Sequence, residues 1–254
     1  MDKRIVLQLL IGLRNNSEKG LSLIELIVAL IISGIVLTAA ASGFINVLRA
    51  NQNVESKTVR SATIARAIAY IQDEIKEAKA VTAVAVGSTQ CPSASVDSAH
   101  CLKLTMPDDS TVLYGFDDIS TGTNVYLKPG LLKRQEYDSS GNAVLQTGQT
   151  SAWDTQYTTV VDGLTSVNET APTTVACNQN STGWTGTNQN GNTFHTSVYG
   201  ATSGGKGGFR FCIDEDPSTG DSRLARIFLY GHIIGVADGN NVISGSTISF
   251  ARSE

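Results

Sequence analysis

The sequence has no surplus of positive charge: 19 Lys and Arg stand against 23 Asp and Glu, for a formal net charge of −4 and a pI near 5.4. That removes the electrostatic footprint of a nucleic-acid binder. Histidine is scarce. His100, His195 and His232 are scattered, with no metal-ligand spacing and no nucleophile motif beside them, so the sequence indicates neither a zinc centre nor a histidine-dependent triad. Proline and glycine are missing from residues 45–80, which removes the usual helix breakers from that stretch.

Two weak patterns resemble ligand sites. Gly200 to Lys206 has the glycine and lysine spacing of a phosphate-binding loop, but Gly207 stands where a magnesium-holding hydroxyl belongs, and no buried strand precedes it. Asp214, Asp216 and Asp221 cluster as a calcium candidate, yet Pro217 intervenes and Gly220 falls one place late for an EF-hand loop. A solvated hairpin turn is the expectation there. No cofactor and no catalytic residue are expected.

What the sequence does have is a long apolar run. Between Leu21 and Ala41 the only residues that are neither apolar nor small are Ser22, Glu25, Ser33 and Thr38. As a helix these residues rise roughly 31 Å, enough to cross the hydrocarbon core of a bilayer. Lys3, Arg4, Arg14 and Lys19 precede the run against Asp2 and Glu18, which predicts a cytoplasmic N-terminus and export of the chain beyond the run. Ala39-Ala40-Ala41 would suit a signal-peptidase cut, but the apolar core is long for that class and contains an acid.

Gly20-Leu21-Ser22-Leu23-Ile24-Glu25 resembles the type III signal of type IV prepilins and pseudopilins: glycine, an apolar residue, and glutamate five positions after the glycine, followed by an uninterrupted apolar helix. The resemblance implies cleavage between Gly20 and Leu21 by a prepilin peptidase, N-methylation of Leu21, and assembly with other pilin subunits through the N-terminal helix at an inner-membrane platform. It assigns Glu25 to pairing with the Leu21 amine of a neighbouring subunit. At an effective dielectric of about 20, such charges 4 Å apart attract by roughly 4 kcal/mol, and only one axial stagger brings them together. Leu21 stands where phenylalanine is commonest in the family, and Ser42 stands where many major pilins carry a helix-bending proline.

The chain reads as three segments: a leader over 1–20, a long helix over 21–80 with residues 21–41 in the membrane, and an exported β-rich domain over 81–254. Ile64, Ile68, Ile71, Ile75 and Ala78 form one apolar stripe that should dock on a sheet, with Arg49, Lys57, Arg60, Arg66, Asp73, Glu74 and Glu77 mostly on other faces. Strands are expected at 102–106, 111–114, 125–127, 131–137, 209–213, 223–230 and 246–251, the third and fourth joined by a Pro129-Gly130 turn. The fold class is α+β, and one long helix on an antiparallel sheet is the pilin architecture. The order of strands around Tyr114, Leu131 to Arg134 and Val160 to Val167 also resembles W-type minor pilins and J-type pseudopilins, more diffusely. Four cysteines, Cys91, Cys101, Cys177 and Cys212, allow three pairings. The nearest-neighbour pairing, Cys91–Cys101 and Cys177–Cys212, closes the shortest loops and is favoured. A polar tract over 178–208 is either a ligand-contacting loop or an insertion stapled by the second pair. The expected function is a minor pilin or pseudopilin, and the alternative is a surface binding protein or adhesin released at Ala41.

Overall fold

A computed structural model describes residues 22–121, 125–166, 199–200, 207–214, 222–233 and 242–252. The chain divides into two bodies, residues 1–52 and 53–254. One helix, α1 (Leu23–Glu77), contributes to both. In the first body every described residue is solvent-exposed, and the helix there is long and apolar enough to cross a membrane. Thr38 Oγ1 donates to the Gly34 carbonyl at 2.6 Å, and Ser42 Oγ to the Thr38 carbonyl at 2.8 Å. Both hydroxyls are thus satisfied by the helix's own backbone, which apolar surroundings require. Helix continues unbroken through Ser42.

The second body is an antiparallel sheet packed on the C-terminal part of α1. The strands are β1 (Ala80–Ala85), β2 (His100–Thr105), β3 (Thr111–Asp118), β4 (Gly130–Tyr137), β5 (Ala143–Val144), β6 (Thr159–Leu164), β7 (Tyr199–Gly200), β8 (Phe209–Asp214), β9 (Leu224–His232) and β10 (Val242–Phe250). A one-turn helix, α2 (Thr155–Thr158), precedes β6. Strand order is β1-β2-β3-β4-β6-β9-β8-β7, with β5 added to β4 and β10 to β9. An isolated bridge joins Val81 to Ser222, tying the β1 side of the sheet to the start of β9.

The apolar stripe docks as its spacing requires. Ile64, Ile68, Ile71, Ile75 and Ala78 are all buried, against Leu104, Tyr114, Phe116, Leu132, Phe211 and Ile227 of the sheet. Helix and sheet approach closely at Gly231 and Gly245, where an added Cβ would sit 2.8 Å from Arg60 Cδ and 2.5 Å from Ile68 Cδ1 respectively. Glycine is what lets the backbones come this near. A second, smaller core joins Cys101 of β2, Leu113 of β3 and Tyr137 of β4 to Cys91, Val96 and Trp153 of the connecting segments.

Several expectations are corrected. The helix ends at Glu77 rather than about Ala80, because Ala80 already begins β1, paired with β2 from Ala80↔Thr105 to Ala85↔His100. Residues 125–127 form no strand. Leu127 N–H donates to the Asp162 carboxylate at 2.9 Å and its carbonyl accepts from Gly163 N–H at 2.7 Å, so this segment is spent on the β6 end and β4 pairs with β3 instead. Lys128-Pro129 is a cis peptide in that connection. β10 begins at Val242, four residues before the expected start at Ser246. Arg60, expected on a face other than the apolar stripe, is buried in line with it, four residues before Ile64.

Candidate processing and assembly site

Gly20 and Leu21 lie outside the described residues, and the site's described part opens at Ser22. Ser22 N–H donates to Glu25 Oε2 at 3.0 Å, while Glu25 N–H and Leu26 N–H donate to the Ser22 carbonyl at 2.9 and 3.2 Å. Glu25 is the third residue of α1, so its carboxylate reaches back onto the helix's own N-terminus. This is the glutamate half of a capping box, and it also sets negative charge against the positive end of the helix dipole. Glu25, for which the family resemblance implies only a partner on a neighbouring subunit, therefore also has one within its own chain, and the Ser-x-x-Glu spacing is the signal that finds it. On both sides of Glu25 the helix presents Leu23, Ile24, Leu26, Ile27, Val28 and Leu30, all exposed in the single chain. Only lipid or other apolar helices can cover such a surface.

Polar clamps fasten the rest of α1 to the sheet. Arg60 Nε donates to the His232 carbonyl at 3.0 Å and Nη1 to the Asp162 carbonyl at 2.7 Å, with the Asp162 carboxylate 3.9 Å away. Burial lowers the Arg60 pKa, and the Asp162 charge partly restores it. Glu74 accepts from the Tyr114 hydroxyl at 2.5 Å and from Arg134 Nε at 2.8 Å. Burial and then the Glu74 charge push Tyr114 well above the usual phenol value. Burial opposes the charge on Arg134, but the hydrogen bond and charge of Glu74 outweigh it, so the pKa is raised. On another part of the sheet Lys133 Nζ meets Asp117 at 2.5 Å, and Asp97 Oδ2 accepts from Asp118 N–H at 2.8 Å. None of these clamps was legible as such, since Glu74 and Arg134 are 60 residues apart in sequence.

Cys91 and Cys101 form a disulfide, as expected. Cys212 is buried on β8 and is not a free thiol, whereas Cys177 lies outside the described residues. Of the calcium candidates, Asp216 and Asp221 fall outside the described residues and only the backbone of Asp214 is described, in β8. Among the described residues no group of three His, Cys, Asp or Glu side chains is arranged to hold a metal ion. The 178–208 tract falls outside the described residues except for residues 199–200 and 207–208.

Comparison with curated proteins and with solved structures finds no match. A family model does match, at the segment that contains Ser22 and Glu25. Residues 15–41 carry the prokaryotic N-terminal methylation motif, the motif of type IV prepilins.

Proposed function

We propose that this chain is a minor pilin or pseudopilin, a structural subunit rather than an enzyme, polymerised into a type IV pilus or a secretion pseudopilus. The motif marks it as a prepilin-like substrate of prepilin peptidase, and the apolar helix supports membrane anchoring. The observation that carries the reading is the position of Glu25: one acid in the first turn of a helix whose N-terminal part, through residue 48, has no other charged residue and is uncovered. A carboxylate within a membrane helix costs roughly 2.5–3.5 kcal/mol at its centre, so its presence demands a use. The new amine of Leu21 on a neighbouring subunit supplies that use, fixing axial register in the filament. The N-terminus is then cytoplasmic and residues 81–254 are exported, with sister subunits and an inner-membrane assembly platform as partners. The size of the exported domain and its polar tract favour a minor over a major component.

Release after Ala41 is disfavoured, because that cut falls inside continuous helix. Mass spectrometry of the mature N-terminus tests the reading. Methylated Leu21 is expected as the first residue, and a start at Ser42 would overturn it.

A further inference from the structure

A cleft of about 550 Å³ opens in the second body between α1, Arg134 of β4 and the residues at the start of β6. This is within the usual size range of small-molecule sites. Arg66, Tyr70, Arg134, Gln146 and Tyr157 supply its longer polar side chains, beside three threonines whose hydroxyls donate to carbonyls four residues earlier, and no Asp or Glu lines it. Arg66 is exposed and, among the described residues, has no ion-pair partner. Arg134 is bound through Nε and Nη2 to Glu74 and Glu136, contacts that leave out its Nη1. Tyr70 is 46% exposed, a large aromatic body held at the cleft on a rigid helix.

These groups sort by chemistry. A guanidinium fork recognises planar oxyanions. Glu74 and Glu136 more than offset the charge of Arg134, so the cleft has no surplus of positive charge and Arg66 is its one guanidinium without an ion pair among the described residues, which suits the single charge of a carboxylate better than a doubly charged phosphate. Phenol faces take an apolar ring surface while their hydroxyls and the Gln146 amide match hydroxyl groups. A purely apolar ligand would leave Arg66 unused, and a neutral one would leave it unmatched.

We propose that this cleft binds an acidic sugar, with its carboxylate on Arg66 and Arg134 Nη1, its ring against the tyrosines and a ring hydroxyl on Gln146. The site is independent of whether the chain polymerises. The full chain, solubilised in micelles of a detergent without a sugar headgroup, is titrated with glucuronate and followed by saturation-transfer NMR. Saturable binding is expected, at least 10-fold tighter than for glucose and weakened at least 10-fold by Arg66→Ala. Tyr70→Ala should weaken it comparably, with the thermal unfolding midpoint of both variants unchanged. Acetate or N-acetylglutamate amide binding as tightly as glucuronate would assign the cleft to a bare carboxylate, such as an acidic side chain of another protein, and overturn the sugar assignment. Tighter binding of inorganic phosphate, no saturable glucuronate binding, or an unaffected Arg66→Ala variant would each overturn it too.

Discussion

The Tyr114 hydroxyl of β3 donates to the Glu74 carboxylate of α1 at 2.5 Å, joining helix and sheet by a charged group that burial alone would penalise. Arg134 completes the arrangement from β4. Replacing Glu74 by Gln leaves the half-buried guanidinium with only the more exposed Glu136 as counter-charge, so unfolding free energy should drop by about 2–4 kcal/mol. Urea denaturation followed by circular dichroism measures this, and a loss under about 1 kcal/mol would show that the cluster contributes little.

Asp97 is exposed as a residue yet titrates above the ordinary aspartate value, first through desolvation of its carboxyl, then because Asp117 shares a hydrogen bond with it and both Asp117 and Asp118 repel its charge. The backbone N–H of Asp118 opposes these effects. For an acid whose folded pKa exceeds its unfolded one, ionisation costs stability, so the penalty is present above the folded pKa and vanishes below the unfolded one. Asp97→Asn, which keeps an acceptor for Asp118, should therefore be more stable than the parent at pH 7, with the advantage shrinking as the pH falls through the carboxylate range. A constant difference across that range would rule the cause out.

The Cys91–Cys101 bridge closes a short loop over Trp153 and Tyr137, whose side chains meet through Trp153 Nε1 and the tyrosine oxygen at 3.0 Å. On a loop-entropy basis a bridge of sequence separation 10 is worth about 2–3 kcal/mol. The double Cys91→Ser, Cys101→Ser variant should lose that much, measured by denaturation, and its aromatic circular dichroism should report a loosened Trp153. Unchanged stability would place the support of this small core in its packing alone.

Glu25→Ala should leave cleavage after Gly20 intact and abolish incorporation into filaments. Immunoblots of sheared filaments and of membranes read the two effects separately. Normal incorporation would remove Glu25 from the role of register device.

Much of the fold was written plainly in the chain. The apolar run over 21–41 is continuous and the stripe from Ile64 to Ala78 is periodic, so composition suffices for the one and spacing for the other. What escaped depends on contacts distant in sequence. Arg60 reads as a solvent-facing cation until His232, Asp162 and the side-chain-free Gly163 and Gly231 are brought around it. Val125 to Leu127 has strand-like composition, but its backbone groups are claimed by Asp162 and Gly163. β1 has no turn signal before it, because the chain passes from Glu77 to Ala80 with almost no connection. At the processing site the motif around Glu25 was legible, but its contact with Ser22 went unread, although the link spans only three residues.

That short link has a consequence for how a subunit waits. With Ser22 N–H as its resting contact, the Glu25 carboxylate is already housed while the chain is alone in the bilayer. On the proposed reading, joining a filament would exchange this backbone donor for a neighbour's charged amine instead of extracting a bare charge from water, so the acid has a local contact to fall back on whenever a subunit leaves its neighbours.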